Sequence, residues 1–138
     1  MKIFIDTNVL LDVLYKRPKF YQDALAIFHA CEARQIEGFI SVLSIPNIVY
    51  VMRKELERSH VQNLIDIIMQ TFHVKDLTAE QVRKAASKAQ DDYEDAVQEI
   101  VAIECGAEYL ITRNEKDFLG GDAIRIISPR DFVRTVLR

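Results

Sequence analysis

Residues 2–12 read Lys2-Ile3-Phe4-Ile5-Asp6-Thr7-Asn8-Val9-Leu10-Leu11-Asp12. The apolar run that ends at Ile5 contains β-branched and aromatic residues, which is typical of a short strand buried on both faces. The run stops at the carboxylate of Asp6, and a second apolar run begins at Val9. Ligands of open α/β sheets bind at the carboxyl ends of the strands. Because Asp6 stands at such an end with no basic neighbour, we predict that it binds a metal ion.

Asp6 and Thr7 also fit a second interpretation, in which one of them caps the helix that begins near Val9. Capping and metal binding are compatible, so this stretch alone leaves both open.

Length and composition restrict the class of protein. The chain has 138 residues, of which 49% are hydrophobic, which predicts one globular domain over residues 1–138. No run is long enough to span a membrane and the N-terminus lacks the pattern of a signal peptide, so we expect a cytoplasmic protein. The net charge of −3 excludes a strongly basic nucleic-acid coat. It leaves RNA possible as a substrate, because a bound metal can supply positive charge locally.

The cysteines and histidines indicate neither a disulfide nor a zinc site. Cys31 and Cys105 lie in apolar helical patterns and are predicted to be reduced core residues. The three histidines, at positions 29, 60 and 73, lack the spacing of zinc ligands.

Strand and helix patterns alternate along the chain. Strands are predicted at residues 2–5, 37–41, 73–77, 109–112 and 124–127. Helices are predicted at residues 9–14, 20–34, 44–52, 61–72, 78–90, 96–105 and 129–137, with caps at Ser44, Thr78 and Ser128. This alternation predicts a three-layer α/β/α fold with a central parallel sheet of four to five strands. Polar residues then gather at one edge of the sheet: Asp6, Ser41, Asp95, Thr112 and Asn114.

The segment Asp91-Asp92-Tyr93-Glu94-Asp95 is the second acidic stretch. Taken alone it favours a helix cap, with Asp92 as the cap and Asp95 at the third helical position. A cap needs one or two carboxylates, however, and this segment has four. We therefore keep metal binding by Asp95 as the alternative, because clustered carboxylates are stabilised by a cation.

Residues 112–118 form the third acidic stretch. Asp117 can complete a metal site, and Arg113 and Lys116 can hold a phosphodiester backbone. The plainer interpretation is a polar loop in which Asp117 bonds to nearby backbone. Carboxylate ligands of this kind suit Mg²⁺ or Mn²⁺, which can activate a water and neutralise a phosphodiester. Asp6 is the expected bridge if two ions bind.

The pattern as a whole resembles the PIN-domain family and, within it, the small VapC-type toxin ribonucleases. The matching stretches are Ile5 to Asp12, Ser41-Val42-Leu43-Ser44, Asp92-Tyr93-Glu94-Asp95-Ala96, Gly106-Ala107 and Thr112-Arg113-Asn114 with Asp117-Phe118. The resemblance implies a metal-dependent endoribonuclease that forms a homodimer and is inhibited by an antitoxin protein.

The family's acidic residues carry over as Asp6 for the first, Asp95 for the third and Asp117 for the fourth. The position of the second acid holds Asn47, which offers a neutral oxygen and no charge. The departure implies weaker metal binding, a single ion, or loss of catalysis. The residues that would orient the acids or the substrate are Thr7, Asn8, Ser44, Asp92, Thr112, Arg113, Asn114 and Lys116.

Two hypotheses follow. The first is a Mg²⁺- or Mn²⁺-dependent ribonuclease with Asp6, Asp95 and Asp117 as metal ligands. The second is a degenerate PIN-like module that binds RNA or a protein partner without cutting, with Asn47 as its signature. An aspartyl-phosphate mechanism is set aside, because its general acid would fall at Asn8. Apolar side chains near Val49, Tyr50 and Met52 can dock a partner, although a core position is the favoured interpretation for each.

Overall fold

A parallel sheet forms the centre of the computed structural model, which describes residues 1–88 and 91–137. Within these residues five strands pair in the order β3-β2-β1-β4-β5. The strands are β1 (Lys2–Ile5), β2 (Glu37–Ser41), β3 (His73–Lys75), β4 (Tyr109–Ile111) and β5 (Arg125–Ile127). All four pairings are parallel. The strand order runs outward from β1 in both directions, which makes the end of β1 the position where such sheets bind ligands.

Helices cover both faces of the sheet. They are α1 (Thr7–Leu14), α2 (Tyr21–Glu32), α3 (Ser44–Val51), α4 (Arg58–Thr71), α5 (Ala79–Ala85), α6 (Tyr93–Glu104) and α7 (Pro129–Thr135). A 3₁₀ turn, Glu115–Asp117, lies between β4 and β5. The predicted three-layer α/β/α fold is confirmed, with five strands in the sheet.

Alternation along β1 divides the core into two parts. Ile3 and Ile5 pack into the larger cluster with apolar residues of α1, α2, α3, α4 and α7. Phe4 points to the opposite face, where it packs with Val101 and Ala102 of α6. Successive strand residues face opposite sides of a sheet, so the uninterrupted apolar run of β1 is explained by burial on both faces.

Several predicted helix ends are confirmed. Thr78 and Gln81 form the predicted capping box at the start of α5. The Ser128 side chain caps α7, with Pro129 as its first residue. Gly106 follows α6 with φ of +80°, the left-handed conformation that favours glycine after a helix. Both cysteines are free, as predicted, and Cys31 lies in the core, whereas Cys105 is only half-buried.

Other boundaries differ from the prediction. Ser44 does not cap α3, because it is already the first helical residue and its hydroxyl bonds to Thr7. Helix α4 begins at Arg58, three residues earlier than predicted. Helix α5 ends at Ala85, whereas the prediction extended to residue 90, and residues 89 and 90 lie outside the described part. In that described part, no helix is both long and apolar enough to cross a membrane.

Candidate active site at the carboxyl edge of the sheet

Asp6 is the buried carboxylate at the centre of the candidate site. It directly follows β1, is 3% exposed and occupies the N-cap position of α1, yet its side chain makes no capping hydrogen bond. Gln98 Nε2 donates to its Oδ1 at 3.1 Å, and Thr112 Oγ1 donates to its Oδ2 at 2.9 Å. Both oxygens are therefore oriented by neutral side chains, one from α6 and one from the end of β4.

Burial raises the pKa of Asp6, and the hydrogen bonds from Thr112 and Gln98 partly oppose that rise. Within the described residues, no basic side chain forms an ion pair with Asp6. Its carboxylate is thus desolvated without a cation from the chain, which is the environment expected of a ligand for an external cation.

Asp95 lies among the other acids of the site. Burial is the largest influence on it, followed by the negative charges of Asp92, Asp6, Asp117 and Glu94, and together they raise its pKa to about 7. The structure therefore brings the three predicted metal ligands into one electrostatic neighbourhood. Asp95 is half-buried, so part of its side chain remains accessible to solvent.

Asp92 has the capping role that the sequence favoured for it. Its Oδ1 accepts a hydrogen bond from the backbone N–H of Asp95 at 3.2 Å, at the start of α6. The same carboxylate contributes to the raised pKa of Asp95. The Asp92 carboxylate therefore caps α6 and also belongs to the acidic cluster, so the two interpretations are compatible.

Asn47 of α3 contacts Glu94 of α6. The Asn47 Nδ2 donates to Glu94 Oε1 at 3.2 Å. Burial raises the pKa of Glu94, the charges of Asp92 and Asp6 add to the rise, and the bond from Asn47 opposes it. Asn47 and Glu94 line a cleft of about 320 Å³ whose other residues are Thr7, Asn8, Leu11, Tyr50 and Val51.

Sequence reasoning missed Gln98 and Glu99, and it left Glu94 out of the metal-binding set. Gln98 is 2% exposed, and its Oε1 has no hydrogen-bond partner although its Nε2 bonds to Asp6. Glu99 accepts hydrogen bonds from the backbone N–H groups of Leu119 and Gly120 at 2.8 and 2.9 Å. The helical period could have indicated Gln98, because it follows Glu94 by four residues and Asp95 by three and so shares a helical face with both.

The segment after β4 is organised around Thr112. Its hydroxyl donates to Asp6 and accepts from the backbone N–H of Asn114 at 3.0 Å. The N–H of Asp117 donates to the carbonyl of Asn114, which is the local backbone bonding that a polar loop predicts. Asp117 is half-buried and Lys116 is exposed. The charge of Asp117 nevertheless reaches Asp95, so this loop belongs to the acidic neighbourhood.

Arg113, predicted to hold phosphate, is placed against Asp12. Its Nε donates to Asp12 Oδ2 at 2.7 Å and its Nη2 to Oδ1 at 3.1 Å. The guanidinium carbon also lies 4.0 Å from the centre of the Phe20 ring. Arg17 adds a second contact to Asp12 at 3.1 Å. The positive charge of Arg113 is thus balanced within the chain.

Thr7 and Ser44 connect two elements beside the site. Their hydroxyl oxygens lie 2.6 Å apart in a buried hydrogen bond between α1 and α3. This bond fixes the start of α3, and with it Asn47, relative to the end of β1. Asn8 is half-buried in the adjoining cleft.

The donor set of this edge consists of oxygen atoms, which fits Mg²⁺ or Mn²⁺ better than zinc. The buried Gln98 Oε1 without a donor and the buried Asp6 without a cation both fit a positively charged ligand. Among residues 1–88 and 91–137, however, no three His, Cys, Asp or Glu side chains are arranged so that they could hold a metal ion. The carboxylates therefore share a region without converging on one point in the described chain.

Both the sequence and the fold are similar to those of known proteins. The sequence profile of the PIN domain matches residues 2–116. The structure resembles a toxin–antitoxin complex from Klebsiella pneumoniae, with a TM-score of 0.65 and 23% identity over 92% of this chain and 97% of that chain. It also resembles DNA-bound VapBC from Salmonella typhimurium, with a TM-score of 0.65 and 18% identity over 94% of this chain and 98% of that chain.

A third similar structure is VapBC2 from Rickettsia felis bound to a promoter DNA fragment, with a TM-score of 0.62 and 19% identity over 93% of this chain and 98% of that chain. No curated protein sequence matches the chain. At these identities the similar structures establish only a shared fold. The sequence profile establishes the family, because it covers most of the chain. The chain belongs to the PIN domain family.

Proposed function

We propose that this protein is a metal-dependent endoribonuclease in which residues 1–138 act as one domain. The observation that carries the proposal is the environment of Asp6: buried, oriented by two neutral donors and close to the charges of other acids, without a basic partner in the described chain. Asp6, Asp95 and Asp117 would hold Mg²⁺ or Mn²⁺. Their side chains must turn toward one another on binding, because no metal-holding group is preformed in the described residues.

When bound, such an ion activates a water molecule and neutralises charge on the phosphodiester. The chain's own residues prepare for it. Thr112 and Gln98 hold the Asp6 carboxylate in one orientation. Asp95, whose pKa is about 7, is partly protonated at neutral pH and gives up that proton when a cation binds.

RNA is the proposed substrate because basic side chains lie along the same edge of the sheet. A cavity of about 410 Å³ next to the end of β5 is lined by Lys19, Phe20, Asp23, Arg113, Ser128, Pro129, Arg130 and Arg134. Arg113 is held by Asp12, so Lys19, Arg130 and the exposed Lys116 are better placed to contact phosphates.

We further propose that the protein is the cytoplasmic toxin of a toxin–antitoxin pair and forms a homodimer. Support comes from the similar structures, which are VapBC or toxin–antitoxin complexes. An exposed apolar surface is available on α3, where Tyr50 is 65% and Val51 42% exposed. Sedimentation of wild-type protein and of Tyr50→Asp tests the dimer, and the variant is expected to sediment as a monomer if this surface mediates it.

The test is cleavage of a panel of structured and single-stranded RNAs with Mn²⁺ or with EDTA. We expect wild-type protein to cut at least one RNA only in the presence of metal. Asp6→Asn and Asp95→Asn should each reduce the rate by about a hundredfold or more, since each removes a charge that stabilises the transition state. Asp91→Asn is the matched control, because its exposed carboxylate does not affect Asp95.

Two observations favour a second candidate, a module that binds RNA or a protein partner without cutting. Asn47 stands where the resemblance to the PIN-domain family implies an acid, and no group of three metal-ligating side chains is preformed in the described chain. RNA that is bound but uncut at millimolar Mn²⁺ supports this candidate and contradicts the nuclease.

A further inference from the structure

We propose that Glu94 supplies the carboxylate that position 47 lacks, so that one metal-binding charge comes from α6 instead of α3, and that Asn47 positions it. This inference rests on the proposed metal-dependent function and identifies a further ligand for its site.

The first argument is the direct contact between the two side chains. Asn47 Nδ2 donates to Glu94 Oε1 at 3.2 Å across 47 residues of sequence. An amide donor is complementary to a carboxylate, whereas a carboxylate at position 47 would face Glu94 with a like charge. Positions 47 and 94 are neighbours on different helices, and only position 94 carries a carboxylate. The amide of Asn47 orients that carboxylate.

The second argument is the location of Glu94 relative to Asp6. Glu94 and Gln98 are four residues apart in α6 and share a helical face, and Gln98 donates to Asp6 at 3.1 Å. Glu94 also lines the cleft formed by Thr7 and Asn8, which directly follow Asp6. Glu94 therefore lies beside the segment that directly follows Asp6, on a cleft that is open to solvent.

Gln98 provides a third observation, which concerns an amide and not a carboxylate. Gln98 Oε1 is buried and has no hydrogen-bond partner, on the same amide that donates to Asp6. A buried oxygen without a donor is unfavourable, because it loses its hydrogen bonds to water on folding and gains none in return. This unpaired acceptor at the junction of Asp6 and the Glu94 face of α6 points to a positively charged or proton-donating ligand.

A purely structural role for the pair is the competing explanation. In that case the Asn47–Glu94 hydrogen bond only joins α3 to α6 at the surface, and its loss changes stability without changing cation binding. The two explanations differ in metal affinity, which can be measured without any RNA.

The experiment is calorimetric titration of the full chain with Mn²⁺, accompanied by thermal unfolding in EDTA. For Glu94→Gln we expect Mn²⁺ affinity about tenfold or more below wild type, with little change in unfolding temperature. The matched control Asp91→Asn removes the same charge three residues away and should stay within about twofold of wild type. The reciprocal variant Asn47→Asp/Glu94→Gln, which returns the charge to α3 and can keep the hydrogen bond, should recover most of the lost affinity.

Asn47→Ala tests positioning. It should weaken Mn²⁺ binding less than Glu94→Gln does, and it should add nothing in the Glu94→Gln background. An additive loss in the double variant overturns the positioning role of Asn47.

The outcomes separate this inference from the proposed function. If Asp6→Asn abolishes Mn²⁺ binding while Glu94→Gln binds as tightly as wild type, Glu94 is no ligand and only this inference fails. If wild-type protein does not bind Mn²⁺ at millimolar concentration, the metal-dependent function fails and this inference with it.

Discussion

Asp6 and Asp12 are two buried carboxylates on the same short segment, and their partners differ in charge. Asp12 is fully buried and lies between the guanidinium groups of Arg17 and Arg113, at 3.1 and 2.7 Å. Asp6 has neutral donors alone among the described residues. The described chain therefore neutralises Asp12 and gives Asp6 no basic partner, which supports the proposed role of Asp6 as a metal ligand.

Asp12→Asn is expected to lower the free energy of unfolding by about 3 kcal/mol or more, because it leaves two guanidinium groups without their buried counter-charge. Urea unfolding measures the change. The control is Glu80→Gln, which breaks an exposed ion pair with Arg83 and should cost less than about 1 kcal/mol. Equal losses in the two variants would contradict a structural role for the Asp12 charge.

Gln98→Met is expected to separate metal affinity from stability. The free energy of unfolding should change by less than about 1 kcal/mol, because the lost hydrogen bond to Asp6 is offset by removal of an unpartnered buried oxygen. Mn²⁺ affinity, measured by calorimetry, should fall by about tenfold, because Asp6 loses a donor that orients it.

Gln62→Met, on the exposed surface of α4, is the control for the substitution at position 98 and should leave Mn²⁺ affinity unchanged. A Gln98→Met protein that binds Mn²⁺ like wild type would show that the orientation of Asp6 by this amide is unimportant.

At the residue scale the sequence predicted candidate acids but not the partners that the structure gives them. Asp6, Asp95 and Asp117 were predicted because each stands at a recognisable strand end, helix start or loop. The pairs Asn47–Glu94 and Gln98–Asp6 join residues 47 and 92 positions apart. Such contacts depend on how α6 packs beside α3 and β1, which local periodicity does not contain.

At the scale of elements, β2 packs closely against α2 and α4 at Gly38. A Cβ atom at this position would lie 2.5 Å from Cys31 Sγ and 2.9 Å from Phe72 Cδ1. A Cβ atom at position 38 therefore requires a shift of Cys31 in α2 or of Phe72, the residue that follows α4.

Gly38→Ala is expected to destabilise the protein by about 1–3 kcal/mol, because both neighbours are core side chains with little room to move. Chemical denaturation measures the loss. Adding Cys31→Ala removes the closer contact, so the double variant should be more stable than the sum of the two single changes. Strict additivity would indicate that the strain lies elsewhere, and Cys105→Ala in the same background serves as the control.

Element boundaries were predicted well where a side chain caps its own helix. Thr78 and Ser128 show this, because the hydroxyl bonds to a backbone N–H three residues on. The predicted cap at Ser44 was wrong because a hydroxyl can equally bond to a residue distant in sequence. Here the Ser44 hydroxyl forms a hydrogen bond with Thr7 of α1. A serine before an apolar run is therefore ambiguous until its tertiary neighbours are known.

At the scale of the whole molecule, the acidic edge opposes folding as the pH rises. The pKa of Asp95 is about 7 in the folded chain and 3.8 without the fold. Between these values the folded state holds a proton that the unfolded state has released, so stability is fully present below about pH 4 and falls as the pH rises to about 7.

We therefore expect the unfolding temperature of the protein in EDTA to be lower at pH 8 than at pH 5. Asp95→Asn should flatten this dependence, because the amide does not titrate, and Mn²⁺ should reverse it by neutralising the cluster. Scanning calorimetry across this range provides the measurement. A protein whose stability in EDTA rises steadily with pH would show that the carboxylates do not interact as the geometry indicates.

Asp91→Asn is the control for this pH series and should keep the wild-type dependence of unfolding temperature on pH.

The fold class itself was predictable, since alternating apolar runs require a sheet covered by helices. The extent of charge repulsion was not predictable, because it depends on distances between side chains from three separate parts of the chain.

Helix α6 carries Glu94 and Asp95, bonds to Asp6 through Gln98, and fixes the backbone after Asp117 through Glu99. A one-residue deletion in its first turn would rotate Glu94 and Asp95 by roughly 100° relative to Gln98 and Glu99. Such a change would turn Glu94 and Asp95 away from the face on which Gln98 bonds to Asp6. Under the proposed role of Glu94, two substitutions suffice to move a carboxylate between α6 and α3, whereas a change in the helical phase of α6 moves Glu94 and Asp95 together.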